Sequence, residues 1–301
     1  MEVSKVRNEY SLSQFKVEGL LGSGAYGVVQ KCVNTETGQV FAMKIIEKNK
    51  VIEKSMEEQV KREVLTQLKV KHRNLVRLHY YFEDSSQIYC LLEYADRGQL
   101  FAYLKTTGAQ PEPMAARFFL DTGSGVAYLH QLRVAHRDLK PENVLLFGEE
   151  LTAKVGDFGW CAEVASEKRL TFCGTLDYVS PEMLFGEPHD QGVDLWALGV
   201  LLFELLTGKA PFSMPSKKET MDKICAVDFT FDVRISPGAE ELIRGLLLRE
   251  SSRRMPLQQV LRHKWCDGFE APVELAVGDL PRPKARSRRS VESDEKAEAK
   301  A

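Results

Sequence analysis

The stretch AHRDLKPENVLL, residues 135–146, places an acid and a carboxamide five residues apart in a proline-containing loop, directly before an apolar, strand-like run. The carboxylate of Asp138 can orient an attacking hydroxyl and accept its proton. The side-chain oxygen of Asn143 suits a hard Mg²⁺ ion, and the ammonium of Lys140 can neutralise charge on a transferred phosphoryl group. This spacing predicts a phosphoryl-transfer site, whereas an ordinary polar loop would produce it only by chance.

A second acidic segment, VGDFGW at residues 155–160, begins shortly afterwards. Asp157 follows Asn143 by fourteen residues and offers a second oxygen ligand for a hard cation. Phe158 and Gly159 form a candidate hinge. We therefore predict that Asn143 and Asp157 hold Mg²⁺ together.

The stretch GSGAYGVV, residues 22–29, contains Gly22, Gly24 and Gly27 in a G-x-G-x-x-G pattern. Glycines allow a backbone to approach phosphate oxygens closely. Dinucleotide sites share these letters, but there the last glycine opens a helix, whereas here a strand-like run continues. The context favours a lid over nucleotide phosphates, with a plain hairpin turn as the alternative.

A lysine and a glutamate complete this set. Lys44 ends FAMK on a predicted strand, and Glu63 follows 19 residues later on an amphipathic helix. An exposed strand lysine and a solvated helix glutamate are the alternatives. A lysine that holds α- and β-phosphates needs a carboxylate to orient it, so we predict that the two side chains pair.

The coarse pattern along the chain predicts an α+β fold with two lobes. Runs rich in Val, Ile and Phe from Phe15 onward, with NTETGQ as a hairpin turn, predict an antiparallel sheet. Apolar positions 56, 60, 64, 65 and 68 predict one helix in this β-rich lobe. Helices predominate after residue 98, at about 99–105, 113–131, 190–208, 217–226, 238–248 and 256–263. The predicted divisions are a flexible segment 1–14, a small lobe 15–93, a hinge and large lobe 94–269, and a polar disordered tail 270–301.

Composition argues against several other classes of protein. A net charge of −2 gives no reason to expect direct nucleic-acid binding. The apolar run Leu195–Leu206 is too short to span a bilayer and contains Glu204, so we expect a buried helix and no membrane association. The six cysteines lack zinc or disulfide spacing, and no secretory signal opens the chain. We expect a reducing, intracellular compartment.

The glycine loop, FAMK, the helical Glu63, HRDLKPEN, DFG and SPE follow one another as in the eukaryotic protein kinases, over residues 15–266. In detail, DFGW, CGTLDYVSPEM, EYADRGQL and VDLWALGVLLFELLTGKAPF resemble the Aurora family, with other basophilic serine/threonine kinases as the alternative. The short N-terminal extension favours the chromosomal-passenger, Aurora-B-like type. Ser180, where this family usually has proline, and the hinge residues Arg97 and Gln99 depart from the pattern. We expect these differences to affect inhibitor and peptide fit.

The resemblance implies a bilobal kinase fold and a Mg²⁺- and ATP-dependent serine/threonine kinase. Asp138, Lys140, Asn143, Asp157, Lys44 and Glu63 would be catalytic. Backbone groups of residues 93–95, including Glu93 and Ala95, would bind adenine. The apolar walls of the nucleotide site would be Leu21, Val29, Ala42 and Leu146. Arg254 would pair with Glu182 to brace the large lobe.

The resemblance also implies a switch and a substrate preference. Thr171 would be phosphorylated, by the enzyme itself because KRLTF carries Arg169 two residues before it, and Arg137 would receive the phosphate. An unmodified loop threonine is the alternative. Thr175 would bond Asp138 beneath the substrate.

Glu142 and Glu204 would bind arginines that precede the acceptor, although Glu142 could instead cap its loop and Glu204 pair with an internal arginine. RRSV in the tail makes Ser290 a second candidate acceptor, and a basic localisation patch is the alternative there.

Partners and location are implied by the resemblance alone. They are protein substrates with Arg or Lys before Ser or Thr, and an activator peptide of the inner-centromere-protein or spindle-assembly type on the small lobe. We expect a monomeric kinase within a larger complex, at the nucleus and on mitotic spindles or chromosomes. A catalytically silent scaffold would require loss of Lys44, Asp138, Asn143 or Asp157, and all four are present.

Overall fold

A computed structural model describes residues 10–24, 27–159, 162–163 and 176–267. Its first part is an antiparallel sheet of five strands in the order β1-β2-β3-β5-β4. The strands are β1 (Phe15–Gly24), β2 (Gly27–Asn34), β3 (Val40–Glu47), β4 (Leu78–Glu83) and β5 (Gln87–Glu93). The predicted turn between β2 and β3 is present: Asn34 Oδ1 accepts from the backbone of Glu36 and Thr37, and Gly38 adopts a φ of 72°.

Two helices separate β3 from β4. Helix α1 (Lys48–Glu53) was not apparent from the sequence, and α2 (Glu57–Lys69) is the predicted amphipathic helix. The buried face of α2 carries Val60 and Val64 together with the acid Glu63. Because residues three and four apart share a helix face, packing these valines against the sheet also directs Glu63 inward.

The second part of the chain is mainly helical. Its helices are α3 (Leu100–Thr107), α4 (Glu112–Gln131), α5 (Pro181–Leu184), α6 (Gly192–Thr207), α7 (Lys217–Ala226), α8 (Pro237–Leu246) and α9 (Leu257–Val260). The sequence-based prediction of a helix over 256–263 is too long, because a separate 3₁₀ turn follows at Lys264–Cys266, where the side chain of His263 accepts from the backbone of Trp265. Helix α6 is buried along most of its length, as predicted. In the part of the chain described, no helix combines the length and apolarity needed to cross a membrane.

Short strands line the junction of the two lobes. They are β6 (Val134–Ala135), β7 (Val144–Phe147), β8 (Thr152–Val155) and β9 (Ala162–Glu163), and they pair as β6 with β9 and β7 with β8. The HRDLKPEN loop, residues 136–143, connects β6 to β7, and the DFG sequence follows β8. The α+β, two-lobed fold is therefore confirmed.

A buried ion pair braces the large lobe. Arg254 Nη1 and Nη2 donate to Glu182 Oε1 and Oε2 at 2.6 and 2.7 Å. The guanidinium also donates to the carbonyls of Gly192 and Leu248, and it lies over the ring of Trp196. This pairing was predicted, and it ties the start of α5 to the segment before α9.

Candidate active site

Lys44 lies between two carboxylates. Its Nζ donates to Oε1 of Glu63 at 2.5 Å and lies 3.7 Å from Oδ1 of Asp157. Burial lowers the pKa of the Lys44 ammonium, but attraction to Glu63 and Asp157 outweighs this effect, and the pKa is raised overall. The predicted pair is formed, and it fixes a cation between the sheet, helix α2 and the DFG sequence.

Asp138 is held by two neighbours in its own loop. Lys140 Nζ donates to both carboxylate oxygens of Asp138, at 2.8 and 2.9 Å. Asn143 Nδ2 donates to Oδ2 of Asp138 at 2.9 Å and to its backbone carbonyl at 2.7 Å. Because these bonds use the amide nitrogen of Asn143, its side-chain oxygen is the atom suited to bind a cation.

Asp194, at the start of α6, anchors the HRDLKPEN loop. Its Oδ1 accepts from the backbone N–H of Arg137 at 2.8 Å, and its Oδ2 accepts from that of His136 at 2.9 Å. His130 Nε2 lies 2.8 Å from the same Oδ2. Burial raises the pKa of Asp194, but the hydrogen bond from His130 and the nearby charges lower it overall. These bonds hold Arg137 at a φ of 67°, a left-handed conformation that a non-glycine residue rarely adopts.

The DFG sequence is held by contacts from both lobes. Asp157 adopts a φ of 55°, and its Oδ1 accepts from the backbone N–H of Gly159 at 3.3 Å. Gln59 of α2 donates from Nε2 to the carbonyl of Gly159 at 2.5 Å. Phe158 is buried beside the ring of His136. Burial raises the pKa of Asp157, but the nearby Lys44 ammonium contributes to lowering it overall, so this carboxylate is ionised at neutral pH.

The donor atoms of Asn143 and Asp157 fit a magnesium ion. The N–H of Gly156 donates to the carbonyl of Asn143 at 2.8 Å, which connects the two segments that carry these residues. An ionised carboxylate with a side chain 47% exposed and an amide oxygen are the hard oxygen ligands that Mg²⁺ prefers. These two side chains would hold the ion, and the ion would neutralise phosphate charge.

The glycine-rich segment spans a tight strand pair. Gly22 pairs with Val29, Gly24 pairs with Gly27, and β2 continues as a strand. The strand confirms the prediction that no helix opens here. A Cβ on Gly27 would lie 1.8 Å from the carbonyl oxygen of Ile45, so this position admits only glycine without backbone movement.

The predicted nucleotide walls come from adjacent strands. Val29 pairs with Lys44 across β2 and β3, and alternation places Ala42 on the same face as Lys44. Leu21, on β1, is exposed. Leu146 of β7 is buried, and its N–H donates to the carbonyl of Gly98 at 2.9 Å, just beyond the hinge.

The hinge begins where β5 ends, at Glu93. The Glu93 carboxylate forms an ion pair with Lys154 of β8. Its side chain is thus engaged, and the backbone groups of residues 93–95 remain the candidate adenine ligands. After Ala95, whose carbonyl accepts from Gly98 at 3.3 Å, Arg97 donates to the carbonyl of Gly148 at 3.1 Å.

Glu204 lies on α6 beside other acidic groups. Its Oε2 accepts from the hydroxyl of Tyr178 at 2.7 Å, in place of the internal arginine considered as an alternative. Burial raises the pKa of Glu204; the Tyr178 hydrogen bond opposes this, and the charges of Glu142 and Asp177 add to it. A cation bound among these carboxylates would be strongly favoured.

Thr171, the predicted phosphorylation site, lies outside the described residues, and so does Thr175, the predicted partner of Asp138. Ser180 is fully buried, and its hydroxyl has no hydrogen-bond partner in the described ranges. The expectation that Ser180 affects inhibitor and peptide fit stays a prediction, and its burial means that any such effect would act through packing.

Three contributors escaped the sequence analysis: Gln59, Asp194 and Lys154. Gln59 lies one helical turn before Glu63. This i, i+4 spacing indicates that the two side chains share one face of α2. Asp194 lies in VDLW, at the start of an apolar run that indicates only a buried helix. No sequence pattern around Lys154 indicates its contact with Glu93.

The sequence of this chain is similar to those of known proteins. The family description "Protein kinase domain" matches residues 15–266. "Aurora kinase" of Schizosaccharomyces pombe is 39% identical over 258 residues, covering 85% of this chain and 72% of that protein. "Aurora kinase C" of Mus musculus is 38% identical over 262 residues, covering 87% and 95%. "Aurora kinase B" of Danio rerio is 38% identical over 255 residues, covering 85% and 79%.

Proposed function

Because the chain belongs to the Aurora family of serine/threonine protein kinases, we propose that it transfers the γ-phosphate of ATP, with Mg²⁺, to serine or threonine in proteins that carry Arg or Lys before the acceptor. The observation that carries this proposal is the joining of Glu63, Lys44 and Asp157 from three separate segments of the chain. A phosphate-binding cation and a metal-binding carboxylate lie side by side, as phosphoryl transfer requires.

Each residue has a distinct role. Lys44, oriented by Glu63, binds the α- and β-phosphates. Asp138 orients the substrate hydroxyl and accepts its proton, and Lys140, already bonded to Asp138, offsets charge on the transferred group. Mg²⁺ held by Asn143 and Asp157 supplies further charge neutralisation when bound.

The preference for basic substrates rests on Glu142 and Glu204. Only one carboxylate oxygen of Glu204 accepts the hydrogen bond from Tyr178, so the other can accept from a substrate. The negative charge of the nearby Glu142 favours binding of a cationic side chain at this position. An arginine guanidinium can bond such carboxylates through several N–H groups at once.

Regulation follows from the position of Arg137 next to Asp138. Phosphate on Thr171 would pair with Arg137 and order the substrate segment, and a peptide of a regulatory partner on the small lobe would support that state. Thr175 would bond Asp138. A mitotic role, at the nucleus and on spindles or chromosomes, is part of this proposal, and the Aurora-B-like subtype remains a prediction.

A peptide assay tests the proposed function. The peptide EKRLTFCGT, residues 167–175, is compared with the same peptide carrying Arg169→Ala, using Mg²⁺ and ATP. We expect the arginine to raise kcat/KM by about tenfold, and Glu142→Gln to reduce that preference.

Asp138→Asn is the matched control for chemistry, because it preserves side-chain shape and should lower kcat by about 10³-fold. Equal rates with the unaltered protein and Asp138→Asn would overturn the catalytic assignment. Equal use of the two peptides would overturn the assigned preference.

A further inference from the structure

A largely buried ion pair connects the hinge to the DFG segment. Lys154 lies on β8, three residues before Asp157, and Glu93 is the last residue of β5. Nζ of Lys154 bonds Oε1 of Glu93, and the two side chains are 10% and 23% exposed. The pair therefore joins two segments that are 61 residues apart in sequence and serve opposite ends of the proposed nucleotide site.

The surroundings of the pair fix its geometry. Lys154 Nζ lies 4.5 Å from the ring centroid of Phe147, which restricts the ammonium from a second side. The backbone N–H of Glu93 donates to the carbonyl of Arg77 at 2.9 Å, and its carboxylate accepts from the N–H of Arg77 at 3.4 Å. Arg77 therefore holds both the side chain and the main chain of Glu93.

The segment of residues 74–77, which precedes β4, contacts both sides of this connection. The N–H of Val76 donates to the carbonyl of Val155 at 2.8 Å, and the N–H of Val155 donates to the carbonyl of Asn74 at 2.9 Å. Residues 74–77 therefore bridge β8 and the end of β5 through backbone bonds. The Lys154–Glu93 bond links a side chain of β8 directly to the first residue of the hinge.

We propose that Lys154 is a positioning residue for adenine: by holding Glu93, it sets where the hinge backbone presents its groups to the nucleotide. This inference rests on the proposed function, since it assigns the hinge as the adenine site. Without the ammonium, a mostly buried carboxylate is left uncompensated and must turn toward water. The end of β5 would then move, and binding by backbone groups depends on their placement.

The predicted effect is specific to the adenosine part of the nucleotide. Lys154→Met keeps the length and apolar stem of the side chain and removes its charge. We expect the Kd of adenosine, measured by calorimetry, and the KM for ATP both to rise by about tenfold, with kcat changed less than about twofold. Binding of inorganic tripolyphosphate with Mg²⁺ should be unchanged, because it does not use the hinge.

Two further variants make the test specific. Lys154→Arg retains the cation and should keep the Kd of adenosine within about threefold of the unaltered value. Lys48→Met is the matched control: it breaks a partly buried pair with Glu83, at 3.0 Å, in the small lobe and away from the hinge. It should leave adenosine binding unchanged.

The outcomes separate a positioning role from a structural one. Unchanged adenosine affinity in Lys154→Met, with only a lower Tm, would overturn the proposal. Should Lys154→Met fail to fold, Glu93→Gln removes the same ion pair while retaining a hydrogen-bonding side chain, and it must weaken adenosine binding for the proposal to stand. An unaltered protein that binds adenosine but transfers no phosphate would overturn the proposed function alone, and one that binds no adenosine would overturn both.

Discussion

Glu182→Gln should cost this protein several kcal/mol of folding free energy without altering its choice of substrate. The Glu182 side chain is 8% exposed and that of Arg254 is 0% exposed. All five N–H groups of Arg254 have acceptors: both Glu182 oxygens and the carbonyls of Gly192, Leu248 and Arg249. Replacing the carboxylate by an amide leaves the guanidinium buried without a counter-charge. It also places the amide NH₂ group against an N–H of the Arg254 guanidinium, where both groups are donors.

The magnitude follows from this burial. Removing one partner of a buried ion pair typically costs about 3–5 kcal/mol. For a folded unit of this size, each kcal/mol lowers Tm by about 2–4 °C, so Glu182→Gln should lower Tm by about 10 °C. Pairing Glu182→Leu with Arg254→Met removes both charges and should recover most of the loss.

Thermal and urea denaturation measure these changes. Glu240→Gln is the matched control, because Glu240 bonds Arg244 at 2.8 Å on an exposed face of α8, and it should cost less than about 0.5 kcal/mol. The relative rates with the Arg169 peptide and its alanine version should be unchanged in Glu182→Gln. A loss below about 1 kcal/mol, or a changed peptide preference at full stability, would refute the reasoning.

Three smaller predictions concern particular side chains. Burial, together with the positive charges of Arg77 and Lys154, lowers the pKa of His79 from 6.5 to about 4, so the unfolded chain binds the proton more readily and stability falls as pH drops from about 6.5 toward 4. By urea denaturation, His79→Gln should reduce the stability lost between pH 7 and pH 4.5 by about 2 kcal/mol, and an unchanged loss would contradict this pKa. Ser180→Ala removes a buried hydroxyl that has no partner among the described residues, and it should stabilise the protein by up to about 1 kcal/mol in the same assay; destabilisation would reveal a bond to that hydroxyl. Gly27→Ala should lower Tm by several degrees through its contact with a backbone carbonyl, whereas Gly22→Ala, whose Cβ would meet no described atom within 4 Å, should not.

Much of the fold could be predicted from local patterns. Runs rich in Val, Ile and Phe and the turn at residues 34–39 predict the antiparallel strands, and the apolar stripe predicts α2 but leaves the direction of Glu63 open. Helix α1 was missed because six residues with one buried valine give no clear period. The overlong prediction at 256–263 failed because the side chain of His263 starts a new turn at Trp265, a contact that no helix propensity encodes.

The candidate site was predictable to the extent that its chemistry resides in individual residue types. Lysine, aspartate and asparagine at fixed spacings indicate Lys44, Asp138 and Asn143. The contacts of Gln59 with Gly159 and of Lys154 with Glu93 link residues 100 and 61 positions apart, and only the folded chain brings them together. The partner of Glu204 shows the same limit, because an acid on a helix could find a tyrosine or an arginine, and the position of Tyr178 decides it.

Peptide mapping by mass spectrometry, after incubation with Mg²⁺ and ATP, tests whether this chain transfers phosphate to itself and to a basic peptide. The unaltered chain and Asp157→Asn are treated side by side, with and without a basic peptide substrate. We expect phosphate on Thr171 and on the peptide with the unaltered chain, and neither product with Asp157→Asn. Absence of phosphate from both the chain and the peptide, or equal phosphorylation with Asp157→Asn, would contradict this expectation.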